Sequence, residues 1–111
     1  MDYSAVLLRV YTEEARRSDG RPLYEEIVLR ARAAGLAGAT VLRGPMGYGS
    51  GGKLHTAKII DLSANLPLVI EIVDSEAKIA EFLPVIDEMI TGGLVTMEKV
   101  KVLHYRGQAK A

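Results

Sequence analysis

Residues 43–56, RGPMGYGSGGKLHT, carry glycines at 44, 47, 49, 51 and 52. Glycine at that density permits positive φ and lets several backbone N–H groups turn toward one point, which is how a chain cradles an anion such as phosphate. The same composition also serves as a mobile hairpin tip. Gly47 to Lys53 satisfies G-x-x-x-x-G-K, the first seven positions of a P-loop, but the eighth is Leu54, where a Ser or Thr hydroxyl is needed for Mg²⁺. A P-loop must also open a helix, whereas LHTAKIIDL has no helical period and reads as a strand. That argues against a P-loop ATPase and leaves Lys53 as a point charge for phosphate.

A second glycine pair, Thr91-Gly92-Gly93, has two uses: the C-cap of a helix, or a ligand loop facing the first across a subunit boundary. His55 and His104 have no carboxylate cluster around them at metal-ligand spacing, so no metal site is expected within one chain, although a symmetric trimer gathers three copies of each. Ser50 sits in a glycine loop with nothing to orient a base toward it, and no catalytic residue is assigned. Glu71 and Glu98 form an acid/base pair only if folding brings them together; solvated or salt-bridged carboxylates are the simpler reading.

The elements that position these residues follow from hydropathy. SAVLLRVY (4–11) alternates, with Val6, Leu8 and Val10 on one face and Ala5, Leu7, Arg9 and Tyr11 on the other, as in a strand. Leu23, Ile27, Val28, Ala31 and Ala34 recur at helical spacing behind Pro22 and ahead of Gly35, which predicts a helix over 22–34. Residues 39–43 and 57–62 read as strands flanking the glycine-rich loop, and 68–73 as another. Ser75 is the expected N-cap of a helix with a stripe of Ile79, Phe82, Leu83, Ile86, Met89 and Ile90, and Pro84 predicts a kink or split near Leu83. In the last strand, Val95 and Met97 are followed by Val100 and Val102, a phase slip that predicts a bulge near Glu98 or Lys99.

The order predicts an α+β protein: a ferredoxin-like βαββαβ sandwich, an antiparallel sheet with two helices on one face. The opposite face mixes Leu7, Val69, Val73 and Leu103 with Arg9, Arg43 and Glu71, which suits a subunit interface. With 111 residues, residues 1–111 are expected to form a single domain, with a mobile loop at 44–56 and a C-terminal tail at 107–111. Lys plus Arg and Asp plus Glu number 14 each, and five Tyr with one Phe make no stacking platform, so nucleic acid is not an expected partner. The absence of Cys removes disulfide and thiolate chemistry. No apolar run reaches membrane-helix length and no secretion signal is visible, so a cytoplasmic location is expected.

AGLAGATVLRGPMGYGSG (34–51), LPLVIEIVDSEAKIAEFLP (66–84) and ITGG (90–93) resemble the PII-like signalling proteins, specifically the branch long catalogued as a domain of unknown function. The resemblance spans nearly the whole chain. It implies a homotrimer with inward-facing sheets and an adenine nucleotide in a cleft between subunits. Gly47, Tyr48 and Gly49 match the turn that begins the family's mobile loop, Thr91, Gly92 and Gly93 match its loop before the last strand, and Glu71 matches a cleft-lining strand. The family's two basic phosphate ligands on the last strand align with Leu103 and Tyr105, which leaves Lys53, Arg9 or Arg106 to substitute.

The expected function is therefore a non-enzymatic sensor. A small anionic effector, an adenine nucleotide, binds between subunits and orders loop 44–56, so that a regulated protein such as a membrane transporter or an enzyme meets a changed surface; no cofactor is required. Two rivals share the architecture. One is a trimeric metal-binding protein like the CutA relatives, using His55 and His104; the other is a small enzyme dependent on Glu71 in the same cleft.

Overall fold

The structure, a computed structural model, describes residues 4–58 and 65–106. Four strands form one antiparallel sheet: β1 (Ser4–Glu13), β4 (Thr40–Arg43), β7 (Pro67–Asp74) and β8 (Leu94–Lys101), in the order β4-β7-β1-β8. Two helices, α1 (Leu23–Ala33) and α2 (Glu76–Met89), complete the sandwich. The remaining described elements are two small ribbons, β2 (Arg17–Ser18) with β3 (Arg21–Pro22), and β5 (Met46–Gly47) with β6 (His55–Thr56). This is the expected ferredoxin-like arrangement.

Alternation along the two central strands builds the core. Leu8 lies opposite Ile72 and Val10 opposite Ile70. These four side chains pack with Leu23, Ile27 and Ala31 of α1 and Ile79, Phe82 and Ile86 of α2, all buried. Both helices therefore cover the even-numbered face of β1. Gly35 ends α1 with φ +75°, a conformation that suits a residue lacking Cβ. Ser75 caps α2, its Oγ accepting from the Lys78 N–H at 3.3 Å. Next to it, buried Asp74 accepts from the Ser75 N–H at 2.6 Å and from the Ala37 N–H at 2.8 Å, tying the loop after α1 to the start of α2.

Four expectations are corrected. Pro84 lies inside α2, which continues to Met89 without a split, because Phe82, Ile86 and Met89 hold the flanking turns against the sheet. No bulge occurs at Glu98 or Lys99: β8 pairs with β1 in unbroken register from Leu94 opposite Tyr11 to Lys101 opposite Ser4. The phase slip is instead a change in which face is apolar, with Lys99 on the helix-side face and Val100 beside Ala5 on the other. Ala57 and Lys58 form a turn rather than the start of a strand, and the rest of that expected strand, like the tail at 107–111, lies outside the described residues. β4 pairs with β7 directly, as Val41 opposite Ile70 shows. Finally, Arg43 is opposite Leu68, off the open face, and pairs with Glu14 at 2.7 Å, while Leu103 lies beyond the end of β8.

The open face combines Leu7, Val69, Val73 and Val100, all half-buried, with exposed Leu42 and Leu94. Ala5, on the same face, is buried. No helix of the described residues is long and apolar enough to cross a membrane.

Candidate functional site

The strand register determines where the two glycine segments emerge. β4 ends at Arg43, and the next residue donates its Gly44 N–H to the Pro67 carbonyl at 2.8 Å. Pro67 is opposite Glu13, near the end of β1. At the same end of the sheet, on the other edge, Gly93 precedes Leu94, which is opposite Tyr11. The two segments thus share one end of the sheet but sit on opposite edges, three strand spacings or about 14 Å apart.

In the first segment Gly47 is opposite His55 in the small ribbon, so residues 48–54 form the tip. Gly44 and Gly47 lie flat against the Pro67 ring, whose Cγ would stand 3.1 Å and 3.2 Å from a Cβ at those positions. Their need for glycine is close approach. Within the tip, the Gly52 N–H donates to the Gly49 carbonyl at 2.9 Å, and Gly52 takes φ +72°. Tyr48 is 75% exposed, and Lys53, Gly49 and Leu54 are exposed beside it.

The second segment is more tightly constrained. Gly93 has φ +101°, and a Cβ there would fall 2.5 Å from the Tyr11 carbonyl oxygen. Gly92 lies under the Arg16 guanidinium, whose Nη1 would be 3.3 Å from an added Cβ. Thr91 is exposed.

A charged network occupies this end of the sheet. Glu13 Oε2 lies 3.1 Å from Nε2 of His55, and Glu13 Oε1 lies 3.8 Å from Arg16 Nη2. Arg43 pairs with Glu14 alongside. Glu13 therefore stands between the hairpin, through His55, and the second glycine segment, through Arg16. Charge density in residues 13–17 is the sequence signal that marks these residues, but nothing in the sequence shows which charges meet.

The other expected site residues lie elsewhere. Arg9, in mid-strand on the open face, donates from Nε to Glu71 at 2.9 Å and from Nη1 to Glu98 at 2.8 Å. Glu71 and Glu98 are thus salt-bridged through Arg9, and the hydrogen bond to Glu71, then that to Glu98, holds the guanidinium above its ordinary pKa. Arg106 follows β8 where the chain leaves the sheet at the Ser4 end, away from the glycine segments. His104 leaves at that end too, whereas His55 sits at the Glu13 end. Among the described residues no group of three or more His, Cys, Asp or Glu is arranged to hold a metal ion.

Comparison with known proteins places this geometry. Residues 5–102 match the profile of the DUF190 family, described as Uncharacterized ACR. A UPF0166 protein of Aquifex aeolicus is 42% identical over 101 residues, spanning 88% of this chain and 92% of the relative. A UPF0166 protein of Methanocaldococcus jannaschii is 36% identical over 105 residues, 94% of each chain. Among solved structures, CPII from Thiomonas intermedia K12, a nitrogen regulatory PII-like protein, matches with a TM-score of 0.60 at 20% identity, over 90% of this chain and 89% of that one. One of those structures holds ADP and bicarbonate, another ADP, AMP and bicarbonate. At that identity the likeness establishes a PII-like fold.

Proposed function

The chain belongs to the DUF190 family, and from that premise we propose that it is a PII-like regulatory protein, a homotrimer that binds an adenine nucleotide between subunits and signals through residues 44–56. The observation that carries the reading is the placement of two glycine segments at one end of the sheet but on opposite edges. Within one protomer they are too far apart to enclose a nucleotide's phosphates. In a ring, the β4 edge of one copy faces the β8 edge of the next, and the two segments close on one cleft.

Two further features support it. The helix-free face of the sheet carries Leu7, Val69, Val73, Leu42 and Leu94, a surface that gains by burial against other copies. The PII-like neighbours of the same fold were solved with ADP. Tyr48, Lys53 and Leu54 stand clear of the body at the hairpin tip, where contact with a nucleotide orders them and changes the surface offered to a regulated transporter or enzyme in the cytoplasm. On this reading Glu71 and Arg9 belong to the inward-facing sheet, and Gly47, Gly49, Thr91, Gly92 and Gly93 line the cleft.

The test is thermal denaturation with ATP, ADP, AMP and cyclic nucleotides at millimolar concentration, alongside the sedimentation mass. Stabilisation by at least one nucleotide, in a particle of three 12.0 kDa chains, is expected. No shift with any nucleotide would overturn the effector assignment, and a monomer would overturn the cleft.

A further inference from the structure

Arg16 is a cation with an unexplained setting. Its Nε is buried and has no hydrogen-bond partner among the described residues. Its Nη2 reaches Glu13 only at 3.8 Å, beyond hydrogen-bond length, and the whole guanidinium lies across Gly92. A buried guanidinium N–H without an acceptor is costly, and a structure keeps such a group where another acceptor arrives. A second orphan, Thr12 Oγ1, is four residues away near the same end of β1. Arg9 donates to Glu71 and Glu98, and Arg43 Nε is ion-paired at 2.7 Å with Glu14 Oε1, an oxygen that is itself buried without a hydrogen-bond partner. Among the described residues Arg16 is thus a cation beside the second glycine segment without a close acceptor.

We infer that Arg16 is the residue that grips the anionic end of the effector over Gly92, and that an anion there competes with Glu13 for the guanidinium. This deepens the nucleotide reading and rests on it for the identity of the ligand. A phosphate is the fitting chemistry: its oxygens accept from the planar guanidinium fork two at a time. The competition gives the site a route to the signalling loop. Glu13 faces Arg16 across 3.8 Å with one carboxylate oxygen and lies against His55 of the hairpin with the other. When phosphate takes Arg16, Glu13 is left with His55, and the contact at the base of the hairpin changes with occupancy.

The experiment measures binding of ADP, adenosine and inorganic pyrophosphate by titration calorimetry to the full chain and to its Arg16→Gln, Arg16→Lys and Glu13→Gln variants, each checked for wild-type mass and cooperative melting. The expected result is a loss of about ten- to a hundredfold in ADP and pyrophosphate affinity in Arg16→Gln, with partial recovery in Arg16→Lys. Adenosine, which lacks phosphate, is expected to bind wild type and Arg16→Gln alike. Glu13→Gln, which removes the competing charge, is expected to bind ADP at least as tightly as wild type. Equal ADP affinity in wild type and Arg16→Gln would overturn the assignment of Arg16 and leave the nucleotide reading intact. Pyrophosphate binding that depends on Arg16, with no added affinity from adenine, would do the reverse. Failure of wild type to bind either ADP or pyrophosphate would overturn both. Should Arg16→Gln not fold, the Arg16→Lys and Glu13→Gln comparison decides: weakened ADP binding in the first and retained binding in the second support the assignment, and any other pair of results overturns it.

Discussion

Gly92 and Gly93 are neighbours with opposite reasons for being glycine, and replacing each by alanine separates them. At Gly93 the backbone has φ +101°, which disfavours an L side chain by about 1–2 kcal/mol. A methyl group there would also meet the Tyr11 carbonyl oxygen at 2.5 Å, well inside contact distance. That carbonyl belongs to the central strand and cannot swing aside without disturbing the β1–β8 ladder, where a lost hydrogen bond costs about 1 kcal/mol. Gly93→Ala is therefore expected to destabilise by about 2–4 kcal/mol, which for a chain of this length lowers the melting temperature by roughly 10–20 °C. At Gly92 no positive φ is involved, and the group in the way is the end of a flexible Arg16 side chain. Gly92→Ala is expected to cost less than about 1 kcal/mol in stability while pushing the guanidinium off its seat. Circular-dichroism melts and urea titrations at one fixed protein concentration measure both. Equal losses for the two variants, or a Gly93→Ala protein as stable as wild type, would contradict the different roles of the two glycines.

Three further outcomes are expected. Arg9 donates to Glu71 and Glu98 and has its pKa raised, chiefly by the Glu71 hydrogen bond, so its contribution is complete below the unfolded-state pKa and is lost only above the range in which proteins are studied; the melting-temperature gap between wild type and Arg9→Met should stay level between about pH 6 and pH 10, and a gap that closes within that window would contradict the assignment. Ser75→Ala removes the acceptor for the Lys78 N–H and is expected to lower the urea-derived stability by about 1 kcal/mol, whereas an unchanged midpoint would show the cap to be idle. Pro84→Ala restores a backbone donor within the continuous helix α2 and should raise stability by about 1–3 kcal/mol, a gain checked in the same titration and contradicted by any loss.

Strand alternation was legible because one face of β1 and β7 packs against helices while the other does not, and period two follows directly. The helix boundaries at Gly35 and Ser75 were legible because positive φ and an N-cap hydroxyl are local requirements. The course of β8 was not: Lys99 lies on the helix-side face, exposed like Val95 and Met97, and hydropathy alone cannot separate that from a bulge. The split expected at Pro84 failed for a related reason, since tertiary packing of Phe82 and Ile86 outweighs the missing backbone bond. At the site, the two glycine segments stood out by composition, but their reasons differ. Gly44 and Gly47 make room for Pro67, Gly52 and Gly93 take positive φ, and Gly92 makes room for Arg16. The Glu13 contact with His55 and the seat of Arg16 over Gly92 join residues far apart in the chain and become visible only in the fold.

The absence of cysteine from the chain permits a direct test of the shared cleft. Tyr48→Cys and Thr91→Cys are introduced singly, and the two proteins are unfolded together, refolded and treated with a short bis-maleimide. Because those positions lie on opposite edges of one protomer, a covalent Tyr48→Cys to Thr91→Cys product joining different chains is expected, formed in the mixture and suppressed by ADP. A 12.0 kDa monomer in the centrifuge with no interchain product, or a doubly substituted chain that links only to itself, would contradict it.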